Sequence, residues 1–213
     1  MTIRSVSAIF LSLGLLSMTA CVSVLPKTAP PSPRYVMSAV TPPTGGEPVE
    51  YSLVVADPTS SQLYNTTKVA LTRVPNRFEF YAGTEWADRA PVLLQRALVR
   101  SLENSGRILN VGDYTTLSVS DFVLKTDMRA FHVDYVSGAP VAVVSLHAQI
   151  LNNHGKIVMA RNFDARQRVA KDSVGDVMLS FGNAIDQVLL EVSQWGLTVS
   201  PQPVEVESGE AES

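Results

Sequence analysis

The strongest constraint on the fold of this chain is a long amphipathic pattern near its C-terminus, from Ser173 to Gly196. Apolar side chains recur every three or four residues between Val174 and Trp195, as on one face of an α-helix. Ser173 is suited to cap the first turn, and Asp176 to complement its exposed N–H groups. A helix with a single apolar face has to bury it against another layer of structure. The pattern therefore predicts a layered body.

A second stretch with helical spacing, Asp88–Asn104, lies near the middle of the chain. Pro91 fits the first turn of a helix, where its missing N–H costs no hydrogen bond, and Gly106 fits just beyond the end. One face of this helix is formed by Leu94, Ala97, Leu98, Ser101 and Leu102. The spacing predicts a second helix with one buried side.

Segments rich in β-branched and aromatic residues precede each helix, and turn signals separate them. The predicted strands are Arg34–Val40, Tyr51–Ala56, Lys68–Val74, Arg77–Tyr81, Phe122–Val133, Val141–Leu151 and Ile157–Gln167. The sequence Asn152-Asn153-His154-Gly155 is typical of a hairpin turn. Strand blocks that are each followed by one amphipathic helix predict an α+β fold: a mixed, mostly antiparallel sheet with two long amphipathic helices packed on one face.

The first residues have the layout of a secretory signal, with a positive Arg4, an apolar run from Ala8 to Leu16 and small residues before Cys21. The hexapeptide ending in Cys21 resembles a bacterial lipobox, in which the cysteine receives a diacylglycerol and becomes the first mature residue. Cys21 is the only cysteine, so an internal disulfide is excluded. A plain secretory signal with a chance cysteine is the alternative. We predict a lipoprotein signal peptide over residues 1–20 and lipidation at Cys21.

The rest of the chain divides by composition into three parts. Residues 21–33 are rich in proline and predict a semi-extended tether from the lipidated cysteine. Residues 34–200 form the folded domain, and residues 201–213 are an acidic tail predicted to be disordered. The apolar run of the signal is too short to span a bilayer, so the lipid is the expected membrane anchor. The formal net charge of −3 argues against a nucleic-acid partner.

No motif points to catalysis, a metal or a cofactor. His132, His147 and His154 fit no metal-binding spacing, and no serine stands in a nucleophile motif. Asp127 and Asp134 are separated by an odd number of residues, which predicts opposite faces of one strand. We therefore predict a protein that is not an enzyme. Trp86, just before the first helix, either packs over its first turn as a staple or is an exposed anchor for a protein partner.

These features together resemble the ABC-type transport auxiliary lipoproteins, the family that includes PqiC-like proteins. The resemblance rests on the lipobox, the proline-rich tether and a set of short segments between them and the last helix. These are Arg34-Tyr35-Val36-Met37, Lys68-Val69-Ala70-Leu71, Phe78-Glu79-Phe80-Tyr81, Glu85-Trp86-Ala87, Phe131-His132-Val133-Asp134, Asn153-His154-Gly155-Lys156 and Phe163.

The resemblance implies a non-enzymatic accessory of an MCE-type ABC transport system, anchored at the periplasmic face of the outer membrane. Its partners would be an MCE-family periplasmic protein with its permease and ATPase, which move lipid or another hydrophobic substrate between the two membranes. Tyr81, Trp86, Phe131 and Tyr135 are the candidate partner-binding residues, and a homo-oligomer is expected by analogy. The alternative is an assembly factor or activator for a cell-wall synthase or an outer-membrane export complex.

Overall fold

The computed structural model describes residues 32–43, 45–136 and 138–200. Within these ranges the chain forms nine strands and two helices. In chain order they are β1 Arg34–Tyr35, β2 Val49–Val55, β3 Thr59–Ser60, β4 Lys68–Val74, β5 Arg77–Trp86, α1 Ala90–Asn104, β6 Ile108–Gly112, β7 Phe122–Asp134, β8 Val141–Asn152, β9 Ile157–Arg168 and α2 Val174–Gly196. None of the described helices has the length and hydropathy needed to cross a membrane.

Strand β7 is the centre of a single mixed sheet. Along one side it pairs in parallel with β2, then β3, then β4, and along the other side it pairs with β8 in antiparallel register. Strands β7, β8 and β9 form a long antiparallel meander, which makes the sheet mostly antiparallel by paired length. The predicted α+β class is therefore confirmed.

The hairpin between β8 and β9 follows the turn chemistry of its residues. The Asn152 side-chain oxygen accepts the backbone N–H groups of His154 and Lys156, at 3.1 and 3.0 Å. Gly155 has φ +77°, in the left-handed region where a residue with a Cβ is disfavoured. This local pattern fixes the register of β8 and β9, two of the three longest strands.

Both helices bury the faces that their spacing predicts. In α1 the buried residues include Leu94, Leu98 and Leu102, and Pro91 occupies the first turn. The α2 N-terminus is capped as expected, because Ser173 Oγ accepts the backbone N–H of Asp176 at 3.2 Å. The two helices share one hydrophobic core with the sheet. The sheet is thus dry on the helix side and polar over much of the other.

The structure differs from the predicted strands at the first strand, at the end of β5 and at two short strands. Only Arg34–Tyr35 of the predicted Arg34–Val40 strand pairs, in parallel with the end of β5. Beyond it the backbone bonds to α1 instead: Val40 N–H donates to Ser101 Oγ at 3.0 Å, and Asn104 Nδ2 donates to the Val40 carbonyl at 3.1 Å. Helix side chains satisfy this segment, so it needs no neighbouring strand. Strands β3 and β6 were not predicted.

A bulge in β7 corrects the predicted placement of Asp127 and Asp134. The register with β8 shifts between Met128 and Ala130. Met128 and Phe131 are consequently both buried on the helix side, although they are three residues apart. One extra residue in a strand inverts the alternation beyond it. Asp127 and Asp134 therefore lie on the same face, the one opposite the helices.

Candidate partner-binding surface

Tyr81 and Tyr135, two of the four predicted partner-binding residues, form a hydrogen-bonded pair. Tyr81 lies on β5 and Tyr135 directly follows β7, and their hydroxyl oxygens are 2.5 Å apart. The Tyr135 hydroxyl donates to Asp172 Oδ1 at 2.6 Å, so the Tyr81 hydroxyl donates to Tyr135. These two hydrogen bonds connect β5, the loop after β7 and the loop before α2.

The electrostatics of this pair keep both phenols protonated. Burial raises the pKa of Tyr81 far above its usual value, and the hydrogen bond with Tyr135 adds to the rise. Burial also raises the pKa of Tyr135, reinforced by its bond to Asp172. The Arg73 guanidinium lies 5.1 Å from the centre of the Tyr135 ring, at cation–π distance. Both residues remain half-buried, with part of each side chain at the surface.

Trp86 and Phe131, the other two predicted residues, lie in the core. Their side chains are only 2% and 1% exposed. The two ring centroids are 5.5 Å apart, and Phe181 of α2 packs against both, at 5.4 and 4.6 Å. The expectation that Trp86 is an exposed anchor is wrong in this structure, as is the matching expectation for Phe131. Each ring instead holds α2 against the sheet.

A narrow groove lies directly outside this aromatic cluster, between α2 and the segment 35–38. It encloses a cavity of about 110 Å³. Its lining residues are Tyr35, Val36, Met37, Ser38, Trp86, Met178, Gly182, Ile185 and Asp186. Asp186 lies on α2 and is exposed as a whole residue. Its carboxyl group is nevertheless partly shielded from water, and this desolvation raises its pKa. Trp86 is one of these lining residues and also part of the buried aromatic cluster, so its ring lies between the core and the groove.

A row of polar side chains crosses the opposite face of the sheet. Thr59, Asp127, His147 and Asn162 are direct cross-strand neighbours on β3, β7, β8 and β9. Thr59 Oγ1 donates to Asp127 Oδ1 at 2.9 Å, and His147 Nδ1 donates to Asn162 Oδ1 at 2.6 Å. Arg129 Nη1 donates to the same Asn162 oxygen at 3.1 Å.

The side chains of this polar row are not arranged as a metal site or as a nucleophile paired with a base. Over the described ranges, no three His, Cys, Asp or Glu side chains converge as metal ligands. The Thr59 hydroxyl donates to a carboxylate and not to the histidine. The row therefore offers hydrogen bonds at the surface of the sheet.

Comparison with known proteins identifies the family. The model of the ABC-type transport auxiliary lipoprotein component matches residues 35–193, a range that runs from the end of β1 almost to the end of α2. This chain is an ABC-type transport auxiliary lipoprotein. The resemblance seen in the sequence is thereby confirmed. The family is one of envelope lipoproteins associated with ABC transport, and it is not a family of enzymes.

Solved structures agree with this family. The crystal structure of XCC0632 from Xanthomonas campestris, of the DUF330 family, is 28% identical to this auxiliary lipoprotein, with a TM-score of 0.72. The match covers 78% of this chain and 95% of that one. A second crystal structure, of an uncharacterized protein, shares the fold at 16% identity and a TM-score of 0.59, over 76% of this chain and 99% of that one.

A longer relative is found among curated sequences. The uncharacterized protein bll6063 of Bradyrhizobium diazoefficiens is 26% identical over 144 residues, which is 68% of this auxiliary lipoprotein. The chain spans only 39% of that relative's length.

Two surface features of this auxiliary lipoprotein were missed by sequence reasoning. Phe78 and Phe80 are each 40% exposed on β5, and His132 packs beneath Phe78 with ring centroids 5.1 Å apart. The Phe-Glu-Phe alternation was available as a signal of a strand with one apolar face. The polar row had no signal in the sequence, because its members come together only through strand register.

The predicted anchor lies outside the described residues. This holds for the signal peptide over residues 1–20, for Cys21 and residues 21–31 of the tether predicted over 21–33, and for the acidic tail over residues 201–213. These assignments stay predictions.

Proposed function

We propose that this auxiliary lipoprotein is a non-enzymatic, membrane-anchored component of an MCE-type ABC transport system. In this role it helps move lipid or another hydrophobic substrate between the inner and outer membranes. The observation that carries the proposal is the family match over residues 35–193, which covers nearly the whole folded body. The lipobox sequence ending in Cys21 supports it, because an accessory of an envelope transporter has to be held at a membrane.

The anchor sets where the protein acts. Lipidation of Cys21 places the folded body at the periplasmic face of the cell envelope. Val22 follows the cysteine, where aspartate is the usual signal for retention in the inner membrane of enteric bacteria. We therefore assign the protein to the outer membrane. A fully extended tether of residues 22–33 reaches roughly 3 Å per residue, some tens of Å from the bilayer.

The partners follow from the same assignment. The protein binds an MCE-family periplasmic protein that works with an ABC permease and ATPase, and copies of the chain assemble into a homo-oligomer. Of the four predicted partner-binding residues, Tyr81 and Tyr135 are the two whose side chains remain partly accessible at the surface. Tyrosine suits such a position because it combines a large apolar ring with a polar hydroxyl.

The test is co-purification from the protein's own membranes in mild detergent, with mass spectrometry of the bound proteins. Full-length tagged protein is expected to recover an MCE protein together with its permease and ATPase. The matched control is Cys21→Ala, which should lose the acyl mass and leave the membrane fraction. Recovery of a cell-wall synthase or an export complex in place of the transporter would contradict the proposal and support the activator alternative.

A further inference from the structure

The walls of the groove beside α2 combine apolar and polar groups, and one of the polar groups is charged. Met37 lies on one side, Met178 and Ile185 lie on the other, and Trp86 contributes to the lining. Asp186 is the only acidic or basic side chain among the lining residues. A cavity of about 110 Å³ is too small for a lipid or a cofactor and suits a single long side chain.

The charges on the α2 side of the groove have one sign. Helix α2 carries Asp176, Asp186 and Glu191 and no lysine or arginine over its 23 residues. Among the described residues, Asp186 takes part in no salt bridge. A carboxylate whose surroundings are partly apolar and which lacks a cation favours an incoming positive group.

The middle of the groove is open at Gly182. A Cβ built on this residue would meet no atom within 4 Å other than those of its own helix neighbourhood. Glycine in a helix interior lowers helix stability relative to most residues, so its presence here has no benefit for α2 itself. The missing side chain leaves space directly beside Asp186, one turn along the same helix.

We propose that this groove binds a lysine side chain of a protein partner. The four methylene groups lie between Met37, Met178 and Ile185, and the ammonium group reaches the Asp186 carboxylate. The Ser38 hydroxyl, also at the groove, offers a second acceptor. Arginine fits less well, because one carboxylate and one hydroxyl leave most of its five N–H donors without partners. The inference goes beyond the proposed function, since it holds for whichever envelope protein supplies the lysine.

The two tryptophans allow a direct test by fluorine NMR on the full-length protein in detergent, labelled with 5-fluorotryptophan. Trp86 lines the groove, and Trp195, near the far end of α2, is an internal control. The probe is Nα-acetyl-lysine amide, compared with Nα-acetyl-norleucine amide, which lacks the ammonium group. Lysine is expected to shift the Trp86 signal in a saturable way and to leave Trp195 unmoved. An equal response to norleucine, or none to lysine, would overturn the proposal.

Two variants separate the charge from the shape. Asp186→Asn is expected to abolish the lysine-induced shift, whereas Glu191→Gln, which changes a carboxylate on the same helix, retains it. Gly182→Leu is expected to fill the groove and abolish the shift while the melting temperature stays equal or rises, because leucine is the better helix former. A lysine response that persists in Asp186→Asn or in folded Gly182→Leu would show that the groove is not the site.

The natural occupant is tested by carbodiimide coupling in the protein's own membranes. This reagent joins a carboxylate to an amine in direct contact, so the proposal expects a bond between Asp186 and a lysine of another protein, absent in Asp186→Asn. A product formed only with phosphatidylethanolamine, or only with a second copy of this chain, would contradict the assignment of a different protein as the partner.

Discussion

Trp86 and Phe131 lie inside the core, whereas Tyr81 and Tyr135, close to them on the same side of the sheet, keep part of their surface accessible. The first pair packs ring against ring with Phe181. The second pair is joined through hydroxyl groups and a carboxylate. The difference teaches that an aromatic residue alone does not indicate an interface, because its exposure depends on what packs against the ring. Phe181 covers Trp86 and Phe131, whereas the Tyr135 hydroxyl bonds to a carboxylate at the surface.

The largest expected effect is on the buried pair. Phe131→Ala removes a fully buried ring from the contact between β7 and α2, and should lower the free energy of unfolding by about 3–5 kcal/mol. Denaturant titration of the full chain measures this loss. The matched control is Phe78→Ala on the exposed face of β5, for which we expect about 1 kcal/mol or less. Similar losses in the two variants would contradict the placement of Phe131 in the core.

The tyrosine pair should contribute less to stability. Tyr135→Phe removes the hydrogen bonds to Asp172 and Tyr81 but keeps the ring, and should cost about 1 kcal/mol. Tyr81→Phe should cost a similar amount, and the double variant less than the sum, because both substitutions break the same bond. Strictly additive losses in a denaturation-based double-mutant cycle would show that the two hydroxyls do not interact.

The smallest effect is a pH dependence that arises on the other face of the sheet. Burial lowers the pKa of His132, whose Nδ1 lies 3.0 Å from the Tyr64 hydroxyl. As the pH falls through the ordinary value of about 6.5, the unfolded chain binds a proton before the folded one does. The stability contributed by neutral, buried His132 is therefore complete above about pH 6.5. It declines as the pH falls from about 6.5 toward the lower pKa of His132 in the folded state.

The measurement is the free energy of unfolding at several pH values between 7.5 and 5, for the wild type and for His132→Gln. The wild type is expected to lose more stability on acidification than the variant does. Parallel curves would show that His132 is not buried as the structure has it, and would weaken the distinction drawn between core and surface aromatic residues.

The elements predicted correctly are those whose signal is local. The spacing of α2, its Ser173 cap and the turn at Asn152 depend on residues a few positions apart, and all three are found in the structure. The predictions for the segment after Tyr35 and for the face on which Asp134 lies were wrong. Both features depend on contacts with residues that are distant in the sequence. Val40 bonds to α1, 61 residues away in the chain, and the bulge in β7 depends on its register with β8.

The candidate site was predictable only in part. Tyr81 and Tyr135 were predicted as partner-binding residues together with the family resemblance, and the structure brings them together across 54 residues. Trp86 was given both a structural and a binding interpretation, and only its depth in the core separates the two. The groove at Asp186 was out of reach of sequence reasoning, because the residues that line it belong to three separate segments of the chain.

The most direct test of the central claim is site-specific photo-cross-linking in the protein's own membranes. Val136, which is 44% exposed and adjacent to Tyr135, is replaced by a photoreactive phenylalanine analogue so that the tyrosine bonds stay intact. Leu109, which is 77% exposed on β6 toward the other end of the sheet, is the matched control position. Cross-linking from position 136, but not from position 109, to an MCE-family protein is the predicted result. Cross-linking from position 136 to a cell-wall synthase or an export complex would contradict the account.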